Sequence, residues 1–240
     1  MVASWPAPKR VKTLITTRNG GVSSTPFDSM NLGSHVDDNV DCVLENRKRL
    51  ARLLPAEPKW LNQVHGVQVL DASVIGATIP DADGSFTRQK NNVCCVMSAD
   101  CLPVLLCNQQ GSQVAAVHAG WRGLLDGVIE NAVAAFNSKD TLLAYLGPAI
   151  GPKAFEVGDE VKNAFCHHHE ESNHAFERSV NKEKWLADIY SLARLRLSKL
   201  GVTGVYGGLD CTFEDSEHFF SYRRDGKTGR MASLIWIEGD

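Results

Sequence analysis

The sequence predicts an α/β (α+β) fold, with a mixed or antiparallel sheet system and helices outside it. Three observations predict it. Short apolar runs outnumber helix-period runs, and many of the connections between them look like hairpins. The order also departs from strict strand–helix–strand alternation, which argues against a doubly wound parallel sheet. No repeat, low-complexity block or Pro/Gly/Ser linker divides the chain, so residues 1–240 read as one domain.

The elements follow in order. "RVKTLITTRNGGVSS" is a strand ending in a turn at Asn19-Gly20-Gly21. "NLGSHVDDN" is a polar loop. In "VDCVLENRKRLARLLP", Val43, Leu44, Arg47, Leu50, Leu53 and Leu54 stand at helical spacing; Asp38 or Asn39 caps this helix and Pro55 stops it. "PKWLNQVHGVQVLD" is a strand or hairpin, and "PDADGSFTRQKN" is a loop. "NVCCVMSAD" and "CLPVLLCN" are short apolar strands joined by a turn, "QQGS", to the strand "QVAAVHAG". Beyond it, Leu124, Leu125, Val128, Ile129, Ala132, Val133 and Phe136 form the buried stripe of an amphipathic helix. "TLLAYLGPAIG" returns to strand, and "VGDEVKNAFCHHH" is a short helix entering a polar tract. "NKEKWLADIYSLARLRLSKLG" is a helix with Asn181 as cap and Gly201 as stop. "GVYGGLD", "HFFSYRR" and "RMASLIWIEG" are three further strands.

Hydrophobic residues make up 43% and charged residues 22% of the 240, enough apolar content for a sizeable core. A net charge of −3 gives no footprint for general nucleic-acid or membrane-surface binding. No run approaches the ~18 apolar residues of a membrane helix, and the N-terminus has no secretory signal pattern. A cytoplasmic protein is expected. The seven cysteines are odd in number and contain no C-x-x-C pair, which suits a reducing compartment.

Three metal-ligand types stand at strand ends: His65 in "LNQVHG", Cys101 in "SADCLPV" and His118 in "AAVHAGWRG". Two imidazoles and a thiolate suit zinc, and three protein ligands leave a fourth position open. Each residue alone is also compatible with ordinary packing, and the spacing matches no short zinc motif. Behind His118, Gly120 and Gly123 allow close backbone approach, while Arg122 and the helix start form a candidate anion site. A second basic cluster, Arg223, Arg224, Lys227 and Arg230 with Tyr222, reads either as a hairpin tip turning at Asp225-Gly226 or as a holder of acidic substrate. Arg18, Asn31, His35, Asp81 and Asp83 lie in loops near these blocks, and a carboxylate there can act as a general base. The tract from His167 to His169 with His174 reads as solvated histidines.

Together, "LNQVHG", "ADCLPVLL" and "VHAGWRG" resemble the YfiH/LACC1 family, as do "TTRNGGVSS", "MNLGSHVDDN", "LGPAIGP", "FEVGDEV" and "FFSYRRDGKTGR". The family has been described as multicopper polyphenol oxidase, purine nucleoside phosphorylase and peptidoglycan editing factor. The resemblance runs from Thr16 to Arg230. It implies a single α/β domain with a β-sandwich-like core flanked by helices. It also implies a metal site of His65, Cys101 and His118, with Zn2+ as the cofactor and Cu2+ as a possible one. Arg18, Asn31, Asp83 and Arg223 fall in matching blocks as pocket residues; apart from the resemblance, Arg18, Arg122 and the helix start are candidates to hold phosphate.

The implied activities are phosphorolysis of adenosine, inosine, guanosine and S-methyl-5'-thioadenosine, with hydrolytic deamination of adenosine. The zinc-deaminase signature H-x-E with P-C-x-x-C is missing, so a general acid must come from elsewhere; Asp83 is the candidate. Bacterial relatives are also linked to removing L-serine from a UDP-muramyl precursor, for which Cys101 activated by His118 is a possible nucleophile. Multicopper oxidation fits less well, because four of the eight histidines lie in the polar tract. A non-enzymatic nucleotide-binding protein is the remaining alternative.

Overall fold

The apolar runs of the sequence fold into two facing sheets. In the computed structural model, which describes residues 1–239, β1 (Val11–Ile15), α1 (Val40–Ala51), β2 (Pro58–Lys59), β3 (Val69–Asp71) and β4 (Gly84–Thr87) come first. β5 (Val93–Ser98), β6 (Leu102–Asn108), β7 (Val114–Ala119), α2 (Trp121–Asp126), α3 (Val128–Ala134) and β8 (Leu142–Leu146) follow. The chain continues through β9 (Glu156–Val157), α4 (Asp159–His168), β10 (Phe176–Arg178), β11 (Trp185–Ala187) and α5 (Ile189–Lys199). It then runs through β12 (Gly204–Gly207), α6 (Tyr222–Asp225) and β13 (Met231–Ile237).

One sheet has the order β1-β13-β5-β2 and the other β12-β8-β6-β7-β4-β3; β10-β11-β9 form a small third sheet. Both large sheets are mixed: β2 joins β5 in parallel, as β12 joins β8 and β3 joins β4, while the other pairs are antiparallel. Alternation of side chains explains the layering. Leu105, Cys107, Val114 and Ala116 face Cys94, Val96 and Ile235 across the sandwich. Their neighbours Val104, Leu106, Ala115 and Val117 face the other way, onto Leu124, Ile129 and Leu197 of the helices. β6 and β7 are therefore buried on both faces, which is why they read as unbroken apolar runs. On the outer face of the four-stranded sheet, Leu50 of α1 packs with Cys95, Met97 and Leu234. The result is the sandwich flanked by helices that the sequence predicts. No helix among the described residues is long and apolar enough to cross a membrane.

Several local predictions need correction. "PDADGSFTRQKN", expected as a loop, contains β4, which pairs with β3 on one side and β7 on the other. The helix behind His118 is two helices, because Gly127 takes φ 101° and caps the first by donating to the Gly123 carbonyl. The helix expected from Asn181 starts at Ile189, capped by Asp188, whose carboxylate accepts from the amides of Tyr190 and Ser191. Trp185–Ala187, expected inside that helix, instead pair as β11 with β9 and β10. "HFFSYRR" is not a strand: Phe219 and Phe220 are buried, and Ser221 caps the short α6 through the Arg224 amide. Asp225-Gly226 ends that helix rather than turning a hairpin.

Candidate metal centre

His118 ends β7, and Cys101 stands immediately before β6, the strand paired with β7. Antiparallel pairing thus brings two ligands to one end of the sandwich. His65 arrives from the loop before β3. The ligand atoms of the three residues lie within 4.8 Å of one another, and among the described residues this is the one such group. Cys101 Sγ is 3.8 Å from His65 Nε2, and the imidazoles meet edge-on with centroids 4.9 Å apart. Ligands around a tetrahedral zinc stand roughly 3.3–3.6 Å apart, so small movements close this set on an ion.

Space has been left for it. A Cβ on Gly120 would lie 3.0 Å from His65 Cδ2, 3.1 Å from Cys101 Sγ and 3.7 Å from His118 Cε1. Gly123 serves the same loop from behind, because its Cβ would lie 2.7 Å from the Gly66 carbonyl oxygen. The donor set therefore fits a borderline-soft ion such as zinc.

Asp83 organises the centre from beneath. It is fully buried. Its Oδ1 lies 2.8 Å from His118 Nδ1, turning Nε2 toward Cys101 and His65. The same carboxylate accepts from the amides of Val64 at 3.2 Å, His65 at 3.0 Å and Gly66 at 2.6 Å. These three bonds hold His65 at φ 60°, a left-handed conformation that costs a non-glycine residue energy. Burial alone would raise the Asp83 pKa; the His118 ring and the Gly66 and Val64 amides outweigh it and hold it below the ordinary value. Asp83 therefore stays ionised. Asp83, expected as a general acid, is fully buried and does not line the cavity; it bonds the His118 ring and the His65 amide.

Cys101 and His118 shift each other. Burial opposes ionisation of the thiol, but the His118 charge and hydrogen bonds from both histidines pull its pKa down. Burial likewise disfavours charge on His118, and the Cys101 thiolate and Asp83 push its pKa up. A thiolate is the form that binds a metal or attacks a carbonyl. Asp100, beside Cys101, takes φ 93°. Its carboxylate accepts from Thr212 Oγ1 and from the Arg223 amide, both at 2.6 Å.

A cavity of about 480 Å³ opens beside the three ligands. That size suits a small organic molecule. Arg122 and Arg223, both expected from sequence, line it. Arg122 stacks on Trp121 at 4.4 Å, while Arg223 donates to the Glu156 carbonyl at 2.9 Å. The expected helix-start anion site is weak, because α2 has only 6 residues and its dipole is correspondingly small.

Arg18 and Asn31 do not line the cavity. Arg18 is occupied elsewhere: it donates to the Asp28 and Ser216 carbonyls, pairs with the Asp28 carboxylate at 3.3 Å and covers Phe220. Asn31 is fully buried, bonding Asp38, Gly33 and the amide of Arg230. Sequence reasoning missed Gln63, whose amide clasps both the N–H and the carbonyl of Met97 and so ties the His65 loop to β5. Its place inside "LNQVHG" was the available signal. The histidine tract ends α4 and starts the next turn, away from the cavity.

The ligand set and the sandwich that carries it belong to a metal-binding α/β protein. Likeness to known proteins says which kind. The family described as multi-copper polyphenol oxidoreductase laccase matches residues 12–238, and the chain belongs to that family, the YfiH family its motifs resemble. It is 52% identical over 240 residues to the Escherichia coli protein named purine nucleoside phosphorylase YfiH, covering 99% of this chain and 98% of that one. It is 52% identical over 239 residues to the Pseudomonas aeruginosa protein named purine nucleoside phosphorylase PA4543, covering 99% and 98%. The crystal structure of Neisseria meningitidis protein NMB0706 superposes with a TM-score of 0.95 at 52% identity, covering 100% and 99% of the two chains. Relatives named for an enzyme activity, together with the His–Cys–His group, fit a metal-dependent enzyme.

Proposed function

We propose that this chain is a zinc-dependent purine nucleoside phosphorylase. Its substrates are adenosine, inosine, guanosine and S-methyl-5'-thioadenosine, and the same cavity deaminates adenosine. The observation that carries the reading is the convergence of His65, Cys101 and His118 on one wall of a cavity that Arg122 and Arg223 also line. The printed names of the bacterial relatives support it.

In phosphorolysis a phosphate oxygen bonds to ribose C1′ as the C1′–N9 bond breaks. The purine leaves with the electron pair and takes up a proton. The chain's own tasks are to hold the phosphate against the ribose, orient the base and limit competing water. Arginines suit the first task, since guanidinium binds phosphate oxygens through paired N–H donors. Trp121 and Tyr222 suit the second, as flat partners for a purine. His65, Cys101 and His118 would hold the zinc ion, which would supply Lewis acidity there. In deamination, water replaces the C6 amino group and ammonia leaves.

The test is purine-base release from inosine, with and without phosphate, on protein of known metal content. Release that requires phosphate and scales with zinc supports the reading; release indifferent to phosphate rejects phosphorolysis.

One observation favours a second reading. The lowered thiol of Cys101, 3.8 Å from His65 Nε2, is also the arrangement of a cysteine nucleophile. Such an enzyme cleaves an amide, as in removing L-serine from a UDP-muramyl precursor. Full activity in zinc-free, chelator-treated protein identifies this route. A multicopper oxidase is disfavoured, because the described residues offer one three-ligand group, not several.

A further inference from the structure

We propose that Arg230 is the fixed anion-binding group of the cavity, the residue that receives the phosphate or another oxyanion beside the His65–Cys101–His118 cluster. For the identity of its anion this inference rests on the phosphorolysis reading. Its structural basis does not.

Arg230 stands just ahead of β13 and lines the same cavity as the three ligands. It is half-buried, yet no carboxylate among the described residues lies within ion-pair distance of it. A cation withdrawn from water without a counter-charge is costly, and proteins keep such cations where a ligand pairs them. Its pKa direction agrees: burial pulls it down, and the negative charges of Cys101 and Asp100 offset this only in part.

The guanidinium is also held in place. Nη1 donates to the carbonyls of Thr228 at 2.9 Å and Gly229 at 3.0 Å. Nε and Nη2 have no acceptor among the described residues, which leaves one edge of the fork open. The backbone is clasped by Asn31, whose Oδ1 accepts from the Arg230 amide at 2.9 Å, while the Leu32 amide donates to its carbonyl at 3.2 Å. Gly33 lies against its stem, where a Cβ would come within 2.8 Å of Arg230 Cγ. Asn31, Leu32 and Gly33 thus build the seat for this arginine, while His35 at the end of the same segment lines the cavity.

The other cavity cations are less suited. Arg223 also binds two carbonyls through Nη1 but is exposed, and Arg122 is exposed and stacks on Trp121. Among the described residues Asp100 is the only carboxylate in the lining, and its two oxygens are already engaged by Thr212 and the Arg223 amide. The cavity is therefore cationic, with Arg230 its pre-positioned member.

The experiment compares wild type with Arg230→Gln and Arg230→Lys by thermal melts in inorganic phosphate and, separately, in UDP-N-acetylglucosamine. Phosphorolysis kinetics on inosine follow. Wild type is expected to gain stability with an oxyanion, and Arg230→Gln to lose that gain. The phosphate KM of Arg230→Gln should rise about tenfold or more, the loss of one charge-assisted hydrogen bond, with the inosine KM within about twofold. A gain with phosphate identifies a free co-substrate; a gain only with the nucleotide sugar identifies a substrate-borne anion. Phosphate binding lost in Arg230→Gln, without any phosphorolysis in wild type, keeps this inference and rejects the phosphorylase. No gain in wild type with either probe, or wild-type phosphate affinity in Arg230→Gln, overturns it. If Arg230→Gln does not fold, Arg230→Lys decides: it keeps the charge and loses the fork, so an unchanged phosphate KM overturns the proposal.

Discussion

A methyl group on Gly120 would point into the space between two imidazoles and a sulfur. Its φ of −61° is open to alanine, so Gly120→Ala should fold normally. Metal content should nevertheless drop from near one per chain to a small fraction, measured by metal analysis after gel filtration; retention of full content would show that the ligands meet elsewhere. Cys101 gives a pH test on metal-free protein. Its pKa lies below the ordinary thiol value, so at neutral pH it is more ionised than a free cysteine, and iodoacetamide should modify it first. Labelling should fade only as the pH falls through that lowered pKa, and zinc should protect. Cys94 and Cys107, each pushed up to about 12 by burial, should stay unlabelled in the native state. The three ligands were legible because histidine and cysteine recur at strand ends within recognisable motifs. The roles of Asp83, Arg18 and Asn31 were not, since they depend on burial and on which carbonyls satisfy them. A sequence shows the donor but not its partner.

Elements were legible where their own period decided them. α1, with Asn39 accepting from the amides of Asp41 and Cys42, follows its pattern and its cap. Residues 181–188 do not, because Trp185 and Leu186 fit a helical stripe while β9 and β10 offer two open edges. Tertiary pairing overrode a weak local preference. The boundary is testable. Asp188→Ala removes the acceptor for two helix amides, and about 1 kcal/mol with it. In a chain of this size that lowers Tm by about 2–4 °C. Asn181 lies outside the helix, so its alanine variant should leave the capping contribution intact. Equal losses at the two positions in thermal melts would move the helix start back toward Asn181.

At the scale of the molecule, the centre joins parts distant in sequence: a loop, a strand end and the residue before another strand. The ligands converge where β6 and β7 pair and the loop before β3 closes over them. An ion that binds the folded chain at a hundred times its dissociation constant adds about 2.7 kcal/mol. Stripping the metal should therefore lower Tm by roughly 5–10 °C, and zinc should restore it; a Tm indifferent to chelator would place the ion outside the fold's energetics. The mixed sheet system was legible from the order of apolar runs. The pairing of those runs was not, because strands of similar composition carry no address.

That pairing has a consequence for synthesis. β13 lies between β1 and β5 in the middle of its sheet, although it is last of the strands in chain order. A ribosome that has not reached Met231 holds a polypeptide whose β1 and β5 each lack a neighbour. Two open edges then wait for β13 to be made, and edges of that kind recruit strands from other molecules. Until β13 emerges, the growing chain therefore carries two strand edges that only a later segment covers.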